Sequence, residues 1–290
     1  MSALAAPVAV APAVVKRRRL KAWQFLTLLV IALLIAWTVI PLFMVVMWSL
    51  VNPDDPWSPP AVLPPSLSLA QWHYVFEYSN IVNSVITSFT LAPVVTLLSF
   101  VLSLPTAYAL GRLDFLGKEV LRVLILLPIV LPGMVIAMFL SRAFFAVGLG
   151  QTFIGLALGH TLLSMPYMLR ILTTAFESIP QDVIDAARNL GAGRLALVTS
   201  ILIPMVLPGL VAGAIFTFIN SLEEFSLTFV IGTPTFQTIP TILYDYLGYH
   251  FVRTNAAVVS IILLVPSLLL LFATERFLKA EYLSSAFGKF

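Results

Sequence analysis

The 290-residue chain contains no cysteine. A disulfide framework, an iron–sulfur cluster and a thiolate zinc site are therefore excluded. Histidine is nearly as scarce: His73, His160 and His250 lie far apart, without metal-ligand spacing. Charge is sparse, at 10% of residues, where a soluble domain carries about 25%. No G-x-x-x-x-G-K-[ST] loop is present, so no P-loop nucleotide site is expected in this chain. What fills the sequence instead is apolar side chain, 60% of it, with a mean hydropathy of +1.03. A soluble globule of this length exposes too much surface to bury that much. The surplus needs a second apolar solvent, the lipid bilayer. A soluble enzyme, a coiled coil and a disordered chain are excluded on the same ground. The 20 prolines and 14 glycines do not conflict, since membrane helices tolerate both.

A helix needs about 20 apolar residues to cross the hydrocarbon core. Six stretches qualify: Trp23 to Leu50, Ile81 to Leu110, Leu121 to Phe145, Thr152 to Phe176, Pro204 to Ile231 and Asn255 to Thr274. Residues 1–22 read as a tail. Its Ala/Val/Pro stretch ends in Lys16, Arg17, Arg18, Arg19 and Lys21, directly before the first span. Such a cluster anchors the cytoplasmic side. With the N-terminus inside, 14 of the 16 basic residues fall on inner loops or flanks, and only Arg142 and Arg253 fall outside. An all-α membrane protein with six spans and two cytoplasmic termini is predicted, with tails over 1–22 and 275–290. The net charge of +3 then reflects positive inner loops and not nucleic-acid binding. The outer loop 51–80 carries Trp57, Trp72 and Tyr74, which suit a headgroup-level belt. The loop 232–254 is long enough for a short helix lying at the surface.

The longest inner loop, about 177–203, carries the most specific signal. Ser178 is a candidate helix cap and Pro180 suits a first turn. Asp182 and Asp185 follow near the positive helix end. Val183, Ile184, Ala187 and Leu190 form an apolar stripe at helical spacing. Gly191 is placed to end the helix with positive φ. Physics alone leaves two uses open: a helix resting on headgroups or its own bundle, or one docking another protein.

The stretch Asp185-Ala186-Ala187-x3-Gly191-x9-Ile201-x-Ile203-Pro204 resembles the EAA loop of ABC-importer membrane subunits, E-A-A-x3-G-x9-I-x-L-P. The spacing matches throughout, with Asp185 for Glu and Ile203 for Leu. Leu127-Pro128-Ile-Val-Leu131-Pro132-Gly133 is similar to that family's L-P-x-x-L-P-G. Gly159-His160-Thr161 with Pro166-Tyr167 resembles its fourth span. Ser221-Leu-Glu223-Glu224-Phe225 resembles the S-x-[DE]-E-F of its polyamine branch. The chain thus looks like a type I ABC-importer permease over about 81–274, nearest the spermidine/putrescine group with its opine, aminophosphonate and ferric-iron relatives. The resemblance implies a bacterial inner-membrane subunit that is not itself an enzyme. It implies two partner ATPase subunits that hold ATP and magnesium, this chain holding no cofactor. A second, homologous permease subunit in a heterodimer and a periplasmic solute-binding protein are implied as well. Asp185, Ala186, Ala187, Gly191, Ile201 and Pro204 would couple the membrane part to the ATPase.

Ionisable groups inside spans are costly and have a role or a partner. Glu223 and Glu224 are the acidic residues well inside a predicted span, in its outer part. Adjacent helical residues point about 100° apart, so both cannot line one pathway. Either solute contact or pairing with Arg142 accounts for them. His160, mid-span, is expected to be packed and hydrogen-bonded, and it stands with the glutamates as a candidate pathway residue. Asn220 and Ser221 read as helix–helix contacts, and Pro128, Pro132 and Pro166 favour kinks. A secondary transporter or channel would leave the EAA-like loop unexplained. An intramembrane enzyme would need a nucleophile–base or metal constellation that these residues do not supply.

Overall fold

The computed structural model describes residues 22–286, with side chains over residues 23–276. The predicted tail over 1–22 lies almost wholly outside this range. Among the described residues the chain is helical, without a strand; one isolated antiparallel bridge joins Val51 to Leu67. The described residues divide into two compact units, one ending at Met44 and one beginning at Val45.

The first unit holds most of α1 (Ala22–Ser49). This helix is apolar all round, and its large side chains stand exposed, Trp37 at 82%. A helix with no polar face is stable only in an apolar medium.

The second unit contains α2 (Ala70–Tyr78), α3 (Ile81–Arg112), α4 (Lys118–Val130), α5 (Gly133–Ala146), α6 (Phe153–Glu177) and α7 (Gln181–Asn189). These are followed by α8 (Arg194–Leu197), α9 (Ile203–Glu223), α10 (Ile239–Tyr244) and α11 (Arg253–Ala286). The centre is the packing of α3, α6 and α9. Lipid offers no hydrophobic drive between helices, so close approach of small residues does the work. On α3, Ser84, Ser88, Ser99 and Ser103 are buried together with Ala92 and Ala107. On α9, a Cβ at Gly213 would lie 2.8 Å from Met168 Sδ, and one at Gly209 2.8 Å from Ala175 Cβ. Both glycines let α9 lie against α6.

Among the described residues, four helices are long and apolar enough to cross a membrane: Trp23–Ser49, Ile81–Arg112, Arg194–Glu223 and Arg253–Arg276. The count rises to five if α4 and α5 form one broken span. The stretch predicted as one span, Leu121 to Phe145, is not one continuous helix. The chain breaks at Leu131–Pro132 and α5 departs from α4 by 103°. Proline denies its predecessor the helical region, and Leu131 is extended, with ψ 140°. The predicted fourth span corresponds to α6, 25 residues long. It is more polar than the other spans because His160, Thr161 and Ser164 are buried within the bundle.

The predicted fifth span also changes. Its helix begins earlier, at Arg194, and runs through a π-helical turn over Val198–Leu202 into α9. The ring of Pro204 would clash with the carbonyl four residues back in a regular helix, and the wider turn relieves this. The helix then stops at Glu223, well short of Ile231; Glu224 is extended, with ψ 125°. A second π-helical turn covers Thr228–Gly232. The helix expected to lie at the surface over 232–254 is α10, whose Ile239, Pro240, Thr241 and Ile242 are buried instead. It packs with Val75 of α2, Ile81 of α3 and Val258 of α11. The tail predicted from residue 275 is helical to Ala286.

Candidate functional site

The EAA-like loop forms one structural piece. Its first helix, α7, starts after Pro180 without a side-chain cap; Ser178 does not cap it, its hydroxyl donating to Ala175 O at the end of α6. Asp182 occupies the first turn and Arg188 the last, each complementing the helix dipole. Gly191 sits at φ +86°, where a Cβ would be strained. Its turn is closed by hydrogen bonds from Leu190 N to Ala186 O, 3.0 Å, and from Ala192 N to Ala187 O, 3.0 Å. The predicted apolar stripe divides into two faces. Ile184 and Ala187 are buried, in one cluster with Phe176, Ile179, Leu197 and Leu202, and Ile201 packs against it. Val183, Ala186 and Leu190 are exposed, Leu190 at 90%. Asp185 is also exposed and pairs with Arg188 at 3.6 Å. Pro204 lies exposed at the start of α9.

Two arginines tie this loop to the bundle. Arg112, at the end of α3, donates to Ile179 O just before α7. Arg122 of α4 donates to Leu110 O at 2.9 Å and pairs with Glu177 at the end of α6. The segment leading into α7 is therefore held by three helices. Neither arginine was singled out for this from the sequence, where both counted only as inner-side positive charge.

The two glutamates have separate surroundings. Glu224 lies at the break after α9, its side chain 7% exposed. Its Oε1 accepts from Leu227 N at 2.8 Å and its Oε2 from Thr228 N at 3.2 Å. It therefore caps the turn that restarts after the break, an ordinary role for a carboxylate at free amides. His160 of α6 meets the same oxygen, with Nε2 to Glu224 Oε2 3.3 Å. The other contacts of His160 are Nε2 to Thr228 Oγ1 at 2.9 Å and Nδ1 to Ser221 Oγ at 3.1 Å. The ring is fully buried. One residue of α6 thus grips the chain on both sides of the break, at Ser221 before it and at Thr228 after it. The pairing with Arg142 weighed from the sequence does not form for either glutamate among the described residues.

Glu223, the last residue of α9, is exposed and makes no hydrogen bond or ion pair among the described residues. It lines a cavity of about 370 Å³ together with Pro128, Leu131, Gly133, Tyr167 and Asn220, and Glu224 reaches the same wall. The cavity lies between the two helix breaks, which adjoin: a Cβ on Gly133 would come within 3.2 Å of Ser226 Oγ. Asn220 accepts from Ser164 at 2.9 Å, joining α9 to α6. The sequence reading brought His160 and both glutamates together as one group. The structure joins His160 to Glu224 and separates Glu223. Thr228 and Tyr167 were missed as site residues. Tyr167 lies seven residues after His160, hence on the same helical face, and that spacing was the available signal. Thr228 had none, because a continuous helix was expected there.

Comparison with known proteins identifies the architecture. Residues 103–280 match the family described as binding-protein-dependent transport system inner membrane component. The ModB molybdenum transport permease of Escherichia coli K12 is 31% identical over 207 residues, 65% of this chain and 90% of that protein. A probable molybdenum ABC transporter permease of Haloferax volcanii is 31% identical over 158 residues. That match takes 52% of this chain and spans little more than half, 57%, of the archaeal relative. The spermidine/putrescine permease PotC of Haemophilus influenzae is 24% identical over 171 residues, 59% of this chain and 66% of that one. Among solved structures, a bacterial ABC transporter involved in import of the acidic polysaccharide alginate superposes with a TM-score of 0.70 at 16% identity. The superposition covers 88% of this chain and 96% of that one. The fold is that of an ABC-importer permease, and the chain, a multi-pass inner-membrane protein, belongs to the binding-protein-dependent transport system inner membrane component family.

Proposed function

We propose that the chain is one permease subunit of an ATP-driven importer of small solutes. The observation that carries this reading is the division of α7 into two faces. Ile184 and Ala187 bind it to the bundle, while Val183, Ala186 and Leu190 stay uncovered outside the apolar spans. A helix fixed so firmly on one side, with apolar positions left open among polar ones on the other, suits transmission of a rigid-body push from a docked protein. The docked protein is an ATPase. Two such subunits, carrying ATP and magnesium, close and open beneath a pair of permeases, and this chain does not hydrolyse ATP itself. Asp185, Ala186, Ala187, Gly191, Ile201 and Pro204 shape the coupling piece. The partner permease is a second, homologous chain, and a periplasmic binding protein delivers the solute. In this arrangement α6 and the α4–α5 pair complete six spans, both termini are cytoplasmic, and lipid covers the exposed apolar faces.

For the solute, a polyamine or related amine-bearing compound is favoured, on the strength of the free carboxylate of Glu223 in the cavity. The test is co-purification of the tagged chain from the membrane, followed by ATP hydrolysis in proteoliposomes with and without the binding protein. An associated ATPase stimulated by the binding protein is the expected result. Uptake that proceeds without any ATPase would overturn it in favour of a secondary transporter or channel.

A further inference from the structure

We infer that Glu223, with Tyr167 and Asn220, forms a transit site that selects for positive charge, while the neighbouring Glu224 takes no part in solute contact. The inference rests on the importer reading above and adds which glutamate faces the solute and which solute charge it favours. Both oxygens of Glu224 are already engaged, by the amides of Leu227 and Thr228 and by His160. Glu223 has no such partners and opens onto the cavity between the two helix breaks. It ends a 30-residue apolar helix, and a bare carboxylate at that depth belongs on water or a cation and not on lipid. Among the described residues no lysine or arginine lines the cavity. Its walls are otherwise Glu224, whose oxygens are already engaged, apolar residues, and the two neutral polar groups of Tyr167 and Asn220, which can accept hydrogen bonds from an ammonium group. Low-dielectric walls around one unpaired charge focus its field into the opening. A protonated amine is thereby drawn in, and a dianion such as sulfate is repelled.

Because the chain has no cysteine, single thiols report this site without removal of native ones. Ile129 lines the same cavity. In the whole importer in proteoliposomes, Ile129→Cys would be labelled with a trimethylammonium-ethyl and with a sulfonatoethyl methanethiosulfonate, and this chain read by mass. Adding Glu223→Gln should lower the cationic-to-anionic rate ratio about tenfold, since one charge on the wall of the same cavity acts in opposite senses on the two reagents. Glu223→Asp should keep the ratio. A ratio unchanged by Glu223→Gln overturns the proposal, and so does a cysteine that neither reagent reaches with or without ATP. ATP hydrolysis stimulated by the binding protein, measured on the same Ile129→Cys complex, reads the importer assignment separately. A ratio unchanged by Glu223→Gln with stimulation intact condemns only this site.

Discussion

Two of the apolar stretches predicted as single spans are broken among the described residues, and the two breaks are made differently. At Leu131–Pro132 the cause is local. Proline holds its predecessor extended, Gly133 starts α5, and no side chain caps the new helix. At Glu224–Phe225 no proline or glycine intervenes. The break is held by a carboxylate on two amides and by a histidine from a helix about 60 residues earlier, whose ring spans both sides. A locally caused break survives changes around it. One that depends on a buried polar network is lost with any member, because each remaining donor is then left unpaired in a poor solvent.

Substitutions at the second break should therefore cost most. Glu224→Ala strands the amides of Leu227 and Thr228, each worth about 1–3 kcal/mol when left unsatisfied, and removes one of the contacts of His160. A large fall in melting temperature and in assembled complex is expected, while Glu223→Ala should melt like wild type. Equal losses from the two would remove the distinction between the glutamates. His160→Ala comes next, losing its hydrogen bonds to Ser221 and Thr228 at about 1 kcal/mol each plus some packing. Thermal unfolding of the purified complex should place it between Glu224→Ala and wild type.

The locally made features should respond in the opposite way. Gly191 stands at φ +86° with nothing within 4 Å of where a Cβ would be. Gly191→Asp then adds only backbone strain, about 1–2 kcal/mol, confined to the turn below α7. Its melting temperature should move little, while ATP hydrolysis stimulated by the binding protein falls; full stimulation would detach this turn from coupling. Pro132→Ala removes no side-chain partner, and a change within about 0.5 kcal/mol is expected. If this variant unfolds as readily as Glu224→Ala, the break at Leu131 is not local after all.

Much of the molecule could be read from residue order alone. The solvent was legible because 60% apolar side chain has nowhere else to go. The long helices α1 and α3 fall where the apolar runs lie, and the turn at Gly191 falls where a glycine ends an amphipathic stripe. These are local or compositional facts, set by helix period, side-chain polarity and backbone freedom. Pro128 and Pro132 announced a kink but not its 103°, since proline excludes conformations without choosing the direction of the next helix. The stripe on α7 showed apolar positions but not which of them the bundle would claim; that depended on where Phe176 and Leu202 came to rest. The end of α9 was least legible of all. Two adjacent glutamates in an apolar run look alike in sequence, and helical spacing predicts a continuous rod through them. Only folding brings His160 and Thr228 to one of the two and leaves the other facing a cavity. A carboxylate's role in a low-dielectric interior is set by the donors within about 3 Å of it, and those donors come from elements that sequence separates and tertiary packing joins.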